Sequence, residues 1–272
     1  MTAALAGGLS GAGRLLMIGC GNMGGAMLGR WLDAGLDPAR VVVVSPSGRA
    51  IPGGVTVVTA IPEERFDTIV LALKPQKLGE LAASSLGAHA PRLLLSILAG
   101  VEEATIAATC RAHAVVRAMP NLPVAIGRGV TGLFSATADA AVRQVAEALC
   151  APLGHHEWIA QERLFDAVTA LSGSGPAFLF RFVDALARAG AALGLPEDQA
   201  RRLALATVEG SAAMAGTADA TPALLADRVA SPGGSTREGL NVLDEDDALV
   251  RLLTATLAAS ERRNRELAAA AR

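Results

Sequence analysis

Tyrosine is missing from this chain of 272 residues, and lysine nearly so: of the 24 basic residues, only Lys74 and Lys77 are lysines. The first absence excludes chemistry built on a Tyr-x-x-x-Lys pair. The second excludes a catalytic lysine anywhere beyond residue 77. Charge of one sign is also lacking. The formal net charge is -2, so no basic field advertises nucleic acid or an anionic membrane as a partner. No apolar run reaches about 18 residues, so no membrane span is expected. The first 13 residues have no cationic start and no long apolar core; they read as a frayed extension, not a signal peptide. Cys20, Cys110 and Cys150 are far apart, with no CxxC or Cys/His cluster, so no metal site is expected. Reduced, structural thiols of a cytoplasmic protein are the expectation. The tandem His155-His156 has no third ligand nearby and reads as a strand-end or surface pair.

What the chain does have is apolar residues, 51% of the total, enough for one large domain or two ordinary ones. Up to about residue 160, short β-branched or apolar runs alternate with helical stretches. The runs are Leu15–Ile18, Val41–Val44, Val55–Val58, Thr68–Leu73, Leu93–Ile97, Val115–Arg117, Val130–Phe134 and His155–Ile159. The helical stretches are Asn22–Ala34, Gln76–Ser84, Glu102–Ala108 and Ala138–Ala151. Strands as apolar as Val41–Val44 suit a sheet covered on both faces, and the alternation predicts an α/β fold with a parallel, doubly wound sheet. After residue 160 the strand signal stops. Pro176–Leu193, Pro196–Met214, Pro222–Val229 and Ala248–Ala271 read as helices, with Pro176 and Pro196 in first turns and Gly194 and Gly216 at helix ends. Helices this rich in Ala and Leu need burial on more than one face. A region of about 110 residues offers little interior, so packing between subunits is expected. The boundaries are 1–160 for the sheet domain and 161–272 for the helical one.

Gly19, Gly21 and Gly24 follow Leu15–Ile18 directly and open a helix. A lone GxGxxG is weak, but here a strand precedes it, a helix follows, and a second strand comes at the right distance. Such glycines make the turn, admit a pyrophosphate and let helix and strand approach, with the phosphates at the helix N-terminus. The second strand ends Val44-Ser45-Pro46-Ser47-Gly48-Arg49. The Asp or Glu usual in an NAD site is absent; Ser45, Ser47 and Arg49 offer hydroxyls and a cation for a 2′-phosphate, favouring NADP(H) while leaving NAD(H) open. "LALKPQ" (71–76), "SILAG" (96–100) and "RAMPNLP" (117–123) end later strands and would share one sheet edge with the glycines.

"GCGNMGGAM", "LALKPQ", "MPNLPVAIGRGVT", "LSGSGPAFLF", "GLP" and "SPGGSTREGL" appear in an order and spacing similar to pyrroline-5-carboxylate reductase. The resemblance runs from about Arg14 to the C-terminus. It implies an N-terminal Rossmann domain, an all-helical C-terminal dimerisation domain and reduction of L-1-pyrroline-5-carboxylate to L-proline with NAD(P)H, the last step of proline biosynthesis. Many members assemble further, as rings of five dimers. Carried over by match, Ile18, Gly19, Cys20, Gly21, Asn22, Met23 and Gly24 line the pyrophosphate, and Ser45 faces the adenosine ribose. Ala72, Leu73, Lys74 and Pro75 form the next strand end. Ile97, Leu98 and Ala99, with Met119, Pro120 and Asn121, lie towards the nicotinamide. The 172–177 stretch, through Ser174 and Gly175, would wall the nicotinamide and substrate pocket. Phe178 stands where the family often has Tyr, and Ser235 where many members have Thr or Ala.

The chemistry suits these residues. A protonated cyclic imine is already electrophilic, so hydride delivery is chiefly positioning and needs little acid–base machinery. In "SPGGSTREGL", Pro232, Gly233 and Gly234 make a turn with open amides, and Ser235 or Thr236 starts a helix whose N-terminus can hold the substrate carboxylate. Thr236, with Ser235 beside it, is the candidate catalytic residue, its hydroxyl meeting the imine nitrogen; the plainer reading is a capped helix turn. A β-hydroxyacid dehydrogenase is disfavoured by the lack of lysine beyond residue 77. Reduction of another cyclic imine, or dinucleotide binding without turnover, remains open at this point.

Overall fold

The valine- and leucine-rich runs pair into one eight-stranded sheet. A computed structural model describes residues 8–48, 50–51, 53–82 and 84–270. The strands are β1 (Leu15–Ile18), β2 (Val41–Val44), β3 (Thr56–Val58), β4 (Thr68–Leu71), β5 (Leu93–Ser96), β6 (Ala114–Pro120), β7 (Gly129–Phe134) and β8 (Gly154–Trp158). Their order is β3-β2-β1-β4-β5-β6-β7-β8. The chain therefore winds outward from β1 in one direction, then returns to start again at β4 on its other side. This reversal between β1 and β4 is the topological switch point at which open α/β sheets bind ligands.

Helices α1 (Asn22–Asp33) and α4 (Ala140–Cys150) cover one face; α2 (Leu78–Ala82) and α3 (Glu103–Ala107) cover the other. Alternation within each strand feeds both cores. Leu15, Met17, Val41, Val43, Leu93 and Leu95 pack with Met27, Leu28 and Trp31 of α1 and Leu149 of α4. Leu16, Ile18, Val42, Val44 and Leu94 pack with Leu78, Leu81 and Ile106. A strand buried on both sides must be apolar throughout, which is why β2 is four valines.

Seven strand pairs make the sheet, and all are parallel except β6–β7. The segment joining β6 to β7 holds only a 3-10 turn, Leu122–Ile126, closed by Gly127 at φ 67°. A parallel crossover needs a dozen residues or more, so this short link returns the chain antiparallel. α4 then provides the crossover to β8. Within the expected frayed extension, Gly8–Ala12 forms a 3-10 turn, Ala12 is buried in the core, and its carbonyl accepts from Thr68 Oγ1 at 2.7 Å. This part is packed because the sheet's first strand starts directly after it; residues 1–7 lie outside the described residues.

No strand follows β8 among the described residues. α5 (Phe165–Val168) leads into a π-helical turn, Thr169–Gly173, then α6 (Gly175–Ala192), α7 (Glu197–Thr217), α8 (Pro222–Arg228), α9 (Ser235–Asp244) and α10 (Ala248–Ala270). The chain divides into two compact units: residues 1–174 with 260–272, and residues 175–259. The boundary falls inside α10, whose second half belongs to the sheet-containing unit. In the helical unit α6 and α7 form a hairpin in which Gly190 approaches Ala200, with Ala187, Ala200 and Ala204 buried. Most large apolar side chains of this unit stay exposed in the single chain, among them Phe180, Phe182, Leu203, Leu205, Val250 and Leu252.

Candidate active site

Backbone register builds the rim of the sheet unit. Ile18, the last residue of β1, pairs with Val44 of β2 and Leu71 of β4, and Leu71 pairs with Ser96 of β5. The residues that follow continue the ladder: Gly19 N–H donates to Val44 O at 3.0 Å, Ala72 N–H to Ile18 O at 2.9 Å, and Ile97 N–H to Leu71 O at 3.0 Å. Gly19, Ser45, Ala72 and Ile97 therefore leave the sheet together on its carboxyl edge. The separately predicted strand-end segments are one continuous edge.

The glycines divide the work there. Gly19 has φ 86°, and a Cβ on it would lie 2.6 Å from Ala72 O. Only glycine fits, by conformation and by space. At Gly24 a Cβ would lie 2.9 Å from the Ala72 Cβ, so this position brings α1 against β4. Gly21 is the reverse case: a Cβ there would meet nothing within 4 Å. It is the N-cap of α1, and no side chain caps that terminus. The first-turn amides of α1, from Asn22, Met23 and Gly24, have no intrahelical acceptor. The arrangement fits a dinucleotide pyrophosphate, because the helix dipole and open amides face space a side chain would fill.

Beyond β2, Ser45–Gly48 forms a turn, with Gly48 N–H donating to Ser45 O at 2.9 Å and the Ser45 and Ser47 hydroxyls 3.2 Å apart. No carboxylate stands in this turn; Arg49 lies outside the described residues. Leu73, Lys74 and Pro75 leave β4, with Lys74 exposed and Pro75 opening a 3-10 turn. Of the β5 segment, Leu98 is buried and Ala99 exposed. β6 runs farther than its neighbours, so Met119 and Pro120 lie within the strand, paired to Gly132 and Thr131.

Asn121 is almost fully buried, and both ends of its amide serve the fold. Nδ2 donates to Ser172 O at 2.9 Å, and Oδ1 accepts from Val130 N at 2.8 Å. It ties β6 and β7 to the π-helical turn, so its side chain shapes the rim. A Cβ at Gly173 would lie 3.1 Å from Met119 Cε, so the turn seats Met119. Ser174 Oγ meets Ser260 Oγ at 3.1 Å; the second half of α10 thus reaches this wall, and neither glycine spacing nor strand order pointed to it.

A buried charge group underlies the same edge. Arg117, beside Ser96 in register, donates from Nη1 to Glu162 Oε1 at 2.7 Å and stacks 4.4 Å over Phe165. Glu162 also accepts from Glu103 N at 2.6 Å, at the start of α3. Glu103 accepts from Ala136 N at 2.8 Å and Thr137 Oγ1 at 2.9 Å. The group fixes the strand immediately before Met119–Asn121.

In the helical unit, the loop before α9 has Gly233 at φ 68° and Gly234 N–H donating to Ser231 O at 2.9 Å. Gly234 is the N-cap, and no side chain caps the helix. Ser235 is the first helical residue and Thr236 the second, both exposed. Thr236 is therefore not the cap. Arg237 anchors the loop through Asp227 at 2.8 Å. At the other helix start, Gly175 opens α6 and has free space around it.

Residues 162–267 match the family model for pyrroline-5-carboxylate reductase dimerisation, and residues 14–100 match that for NADP oxidoreductase, coenzyme F420-dependent. A pyrroline-5-carboxylate reductase of Pseudomonas aeruginosa is 34% identical over 94% of this chain and 97% of its own. The chain belongs to the pyrroline-5-carboxylate reductase family. A Synechocystis reductase of the same name is 36% identical over 93% of this chain and 98% of its own. The structure of the Coxiella burnetii pyrroline-5-carboxylate reductase superposes with TM-score 0.83 at 31% identity, over 94% of this chain and 98% of that one. The Plasmodium falciparum pyrroline carboxylate reductase, a structure with NADP bound, gives 0.79 at 25% identity over the same shares. The reductase similarity thus spans both the sheet rim and the α9 loop.

Proposed function

We propose that this chain reduces L-1-pyrroline-5-carboxylate to L-proline, with NADPH as the preferred donor and NADH as the alternative. The carrying observation is the open start of α1: uncapped amides and an unfilled Gly21 at the switch point, in a chain similar over 94% of its length to a named reductase. The bound nicotinamide supplies the hydride. Ile18, Gly19, Cys20, Gly21, Asn22, Met23 and Gly24 hold the pyrophosphate, and Ser45, Ser47 and Arg49 the 2′-phosphate side. Ala72–Pro75, Ile97–Ala99 and Met119–Asn121 shape the floor beneath the rest of the cofactor.

The first-turn amides of Ser235 and Thr236, uncapped at the positive end of α9, suit the substrate carboxylate, with Gly233 and Gly234 shaping the turn before them. The Thr236 hydroxyl orients the ring nitrogen, and Ser174 and Gly175 form a wall. The imine nitrogen takes its proton from solvent before hydride addition to the neighbouring carbon, and the C=N pair of electrons returns to nitrogen as the amine forms, so the residues' task is alignment and exclusion of water during transfer. The exposed apolar helix faces support a homodimer, and the family resemblance supports a ring of five dimers. The reading places the protein in the cytoplasm; among the described residues no helix is long and apolar enough to cross a membrane. Steady-state oxidation of NADPH and of NADH on adding pyrroline-5-carboxylate tests the proposal. Proline formation with a higher kcat/KM for NADPH is expected; turnover only with a cyclic imine of another ring size would replace the substrate assignment.

A further inference from the structure

The second half of α10 supplies a wall to the cofactor rim, and one of its side chains is poised for a ligand. Ser260, Asn264, Leu267 and Ala268 recur at helical spacing and so lie on one face. Ser260 bonds Ser174, and Ala268 packs so closely on Gly100 that a Cβ there would lie 3.1 Å away. Between these contacts is a cavity of about 220 Å³, lined by Pro75, Gln76, Ala99, Gly100, Asp166, Thr169, Asn264 and Leu267. It is smaller than the roughly 300–1,000 Å³ of a whole-ligand pocket and suits one ring with a substituent. Pro75 and Ala99 are the rim residues after β4 and β5, so the cavity opens from the edge already described.

Its polar groups can be accounted for. Thr169 Oγ1 donates to Phe165 O at 2.7 Å, and Gln76 is exposed. Asp166 keeps a carboxylate in the lining, with Arg265 4.0 Å away. Asn264 Nδ2 is buried and has no hydrogen-bond partner. A buried unpaired donor is costly, so a native one signals a missing partner. An unpaired N–H and a carboxylate in the lining of one small cavity match one chemical group above others: a primary carboxamide, with one oxygen acceptor and one NH2 donor.

We infer that Asn264 donates to the carboxamide oxygen of the nicotinamide ring, with Asp166 accepting from the carboxamide NH2, and so sets the ring's rotation at the rim. The inference rests on the NADP(H) reading above, and its test separates the two. Calorimetric titration of the full chain uses two ligands, NADPH and 2′-phospho-ADP-ribose, which keeps the terminal ribose and lacks the ring. Asn264→Ala should weaken NADPH roughly 5- to 20-fold, the loss of one polar contact, and leave the fragment within twofold. Asn264→Asp, which exchanges the donor for a second carboxylate, should weaken NADPH further at unchanged melting temperature. NADPH affinity unchanged in both variants overturns the inference and leaves the cofactor reading standing. Equal weakening of both ligands also overturns it, because the contact is then to ribose or phosphate. Wild-type protein that binds neither ligand overturns the cofactor reading and the inference together.

Discussion

Thr236→Ala is the most informative single substitution, because the structure separates two roles that a threonine at a helix start can play. A capping threonine accepts from an amide of the first turn, and its loss costs stability. Here Gly234 holds the cap position without any side-chain cap, while Thr236 is the second residue of α9 and exposed. Alanine is also the better helix former by a few tenths of a kcal/mol. The variant should therefore melt at the wild-type temperature or slightly above it. If the hydroxyl meets the imine nitrogen, its loss removes one polar contact to a partly charged group, about 1.4–2.7 kcal/mol, or a 10- to 100-fold fall in kcat/KM. NADPH affinity should not change, since that site is built from strand ends of the other unit. Thr236→Ser keeps the hydroxyl and should keep most activity. Melting temperature, NADPH affinity and kcat/KM measured on both variants decide the matter. A destabilised Ala variant with full turnover per folded molecule would refute the reasoning.

Other expectations follow from single residues. Gly21→Ala should fold normally yet lose NADPH binding, because its Cβ meets only space intended for the pyrophosphate; Gly19→Ala should impair folding itself, since its Cβ meets Ala72 O at 2.6 Å. Normal NADPH binding by Gly21→Ala would contradict this. Ser45→Asp should weaken NADPH more than NADH by setting a charge against the 2′-phosphate; equal losses would remove Ser45 from that role. Burial raises the thiol pKa of Cys110, and that of Cys150 to about 12, whereas Cys20 is partly exposed in the glycine turn. A thiol reagent at neutral pH should modify one cysteine per folded chain, more slowly with NADPH present; two fast-reacting thiols would count against the burial argument. The Asp139 carboxyl sits below its ordinary value of 3.8, chiefly through the Val142 amide and then His113. A lowered folded-state pKa contributes stability that is present above the unfolded pKa and lost as pH falls through the folded one. Asp139→Ala should therefore lower the melting temperature at neutral pH, with the deficit shrinking well below pH 3.8; a deficit that persists in acid would implicate packing.

Much of the molecule was legible because its signals are local. β1 and β2 were bounded correctly from runs of four apolar residues. Gly19, Gly21 and Gly24 were placed in their turn by the strand before them and the helix after. The start of α9 was legible from Pro232 and two glycines. What was not legible depended on distant partners. Val130–Phe134 read as a strand, but its antiparallel direction comes from the short link through Gly127. Gly8–Ala12 looked loose because glycine-rich composition hides the contacts of Ala12 with the sheet. Asn121 was expected towards the nicotinamide, and the sequence could not show that its amide also ties Ser172 to Val130. Ser260 and Asn264 sat unremarked in an alanine-rich helix: their spacing states a common face, and only tertiary packing states what that face meets.

The central claim is that this chain moves a hydride from the nicotinamide of NADPH to the imine carbon of pyrroline-5-carboxylate. The direct measurement uses NADPH carrying deuterium at the transferable position of the ring, with the product examined by mass spectrometry and NMR. The account predicts L-proline with one deuterium, at the ring carbon that was doubly bonded to nitrogen, formed in equal amount to the cofactor oxidised. Cofactor oxidation without labelled proline, or label at any other carbon, would contradict it.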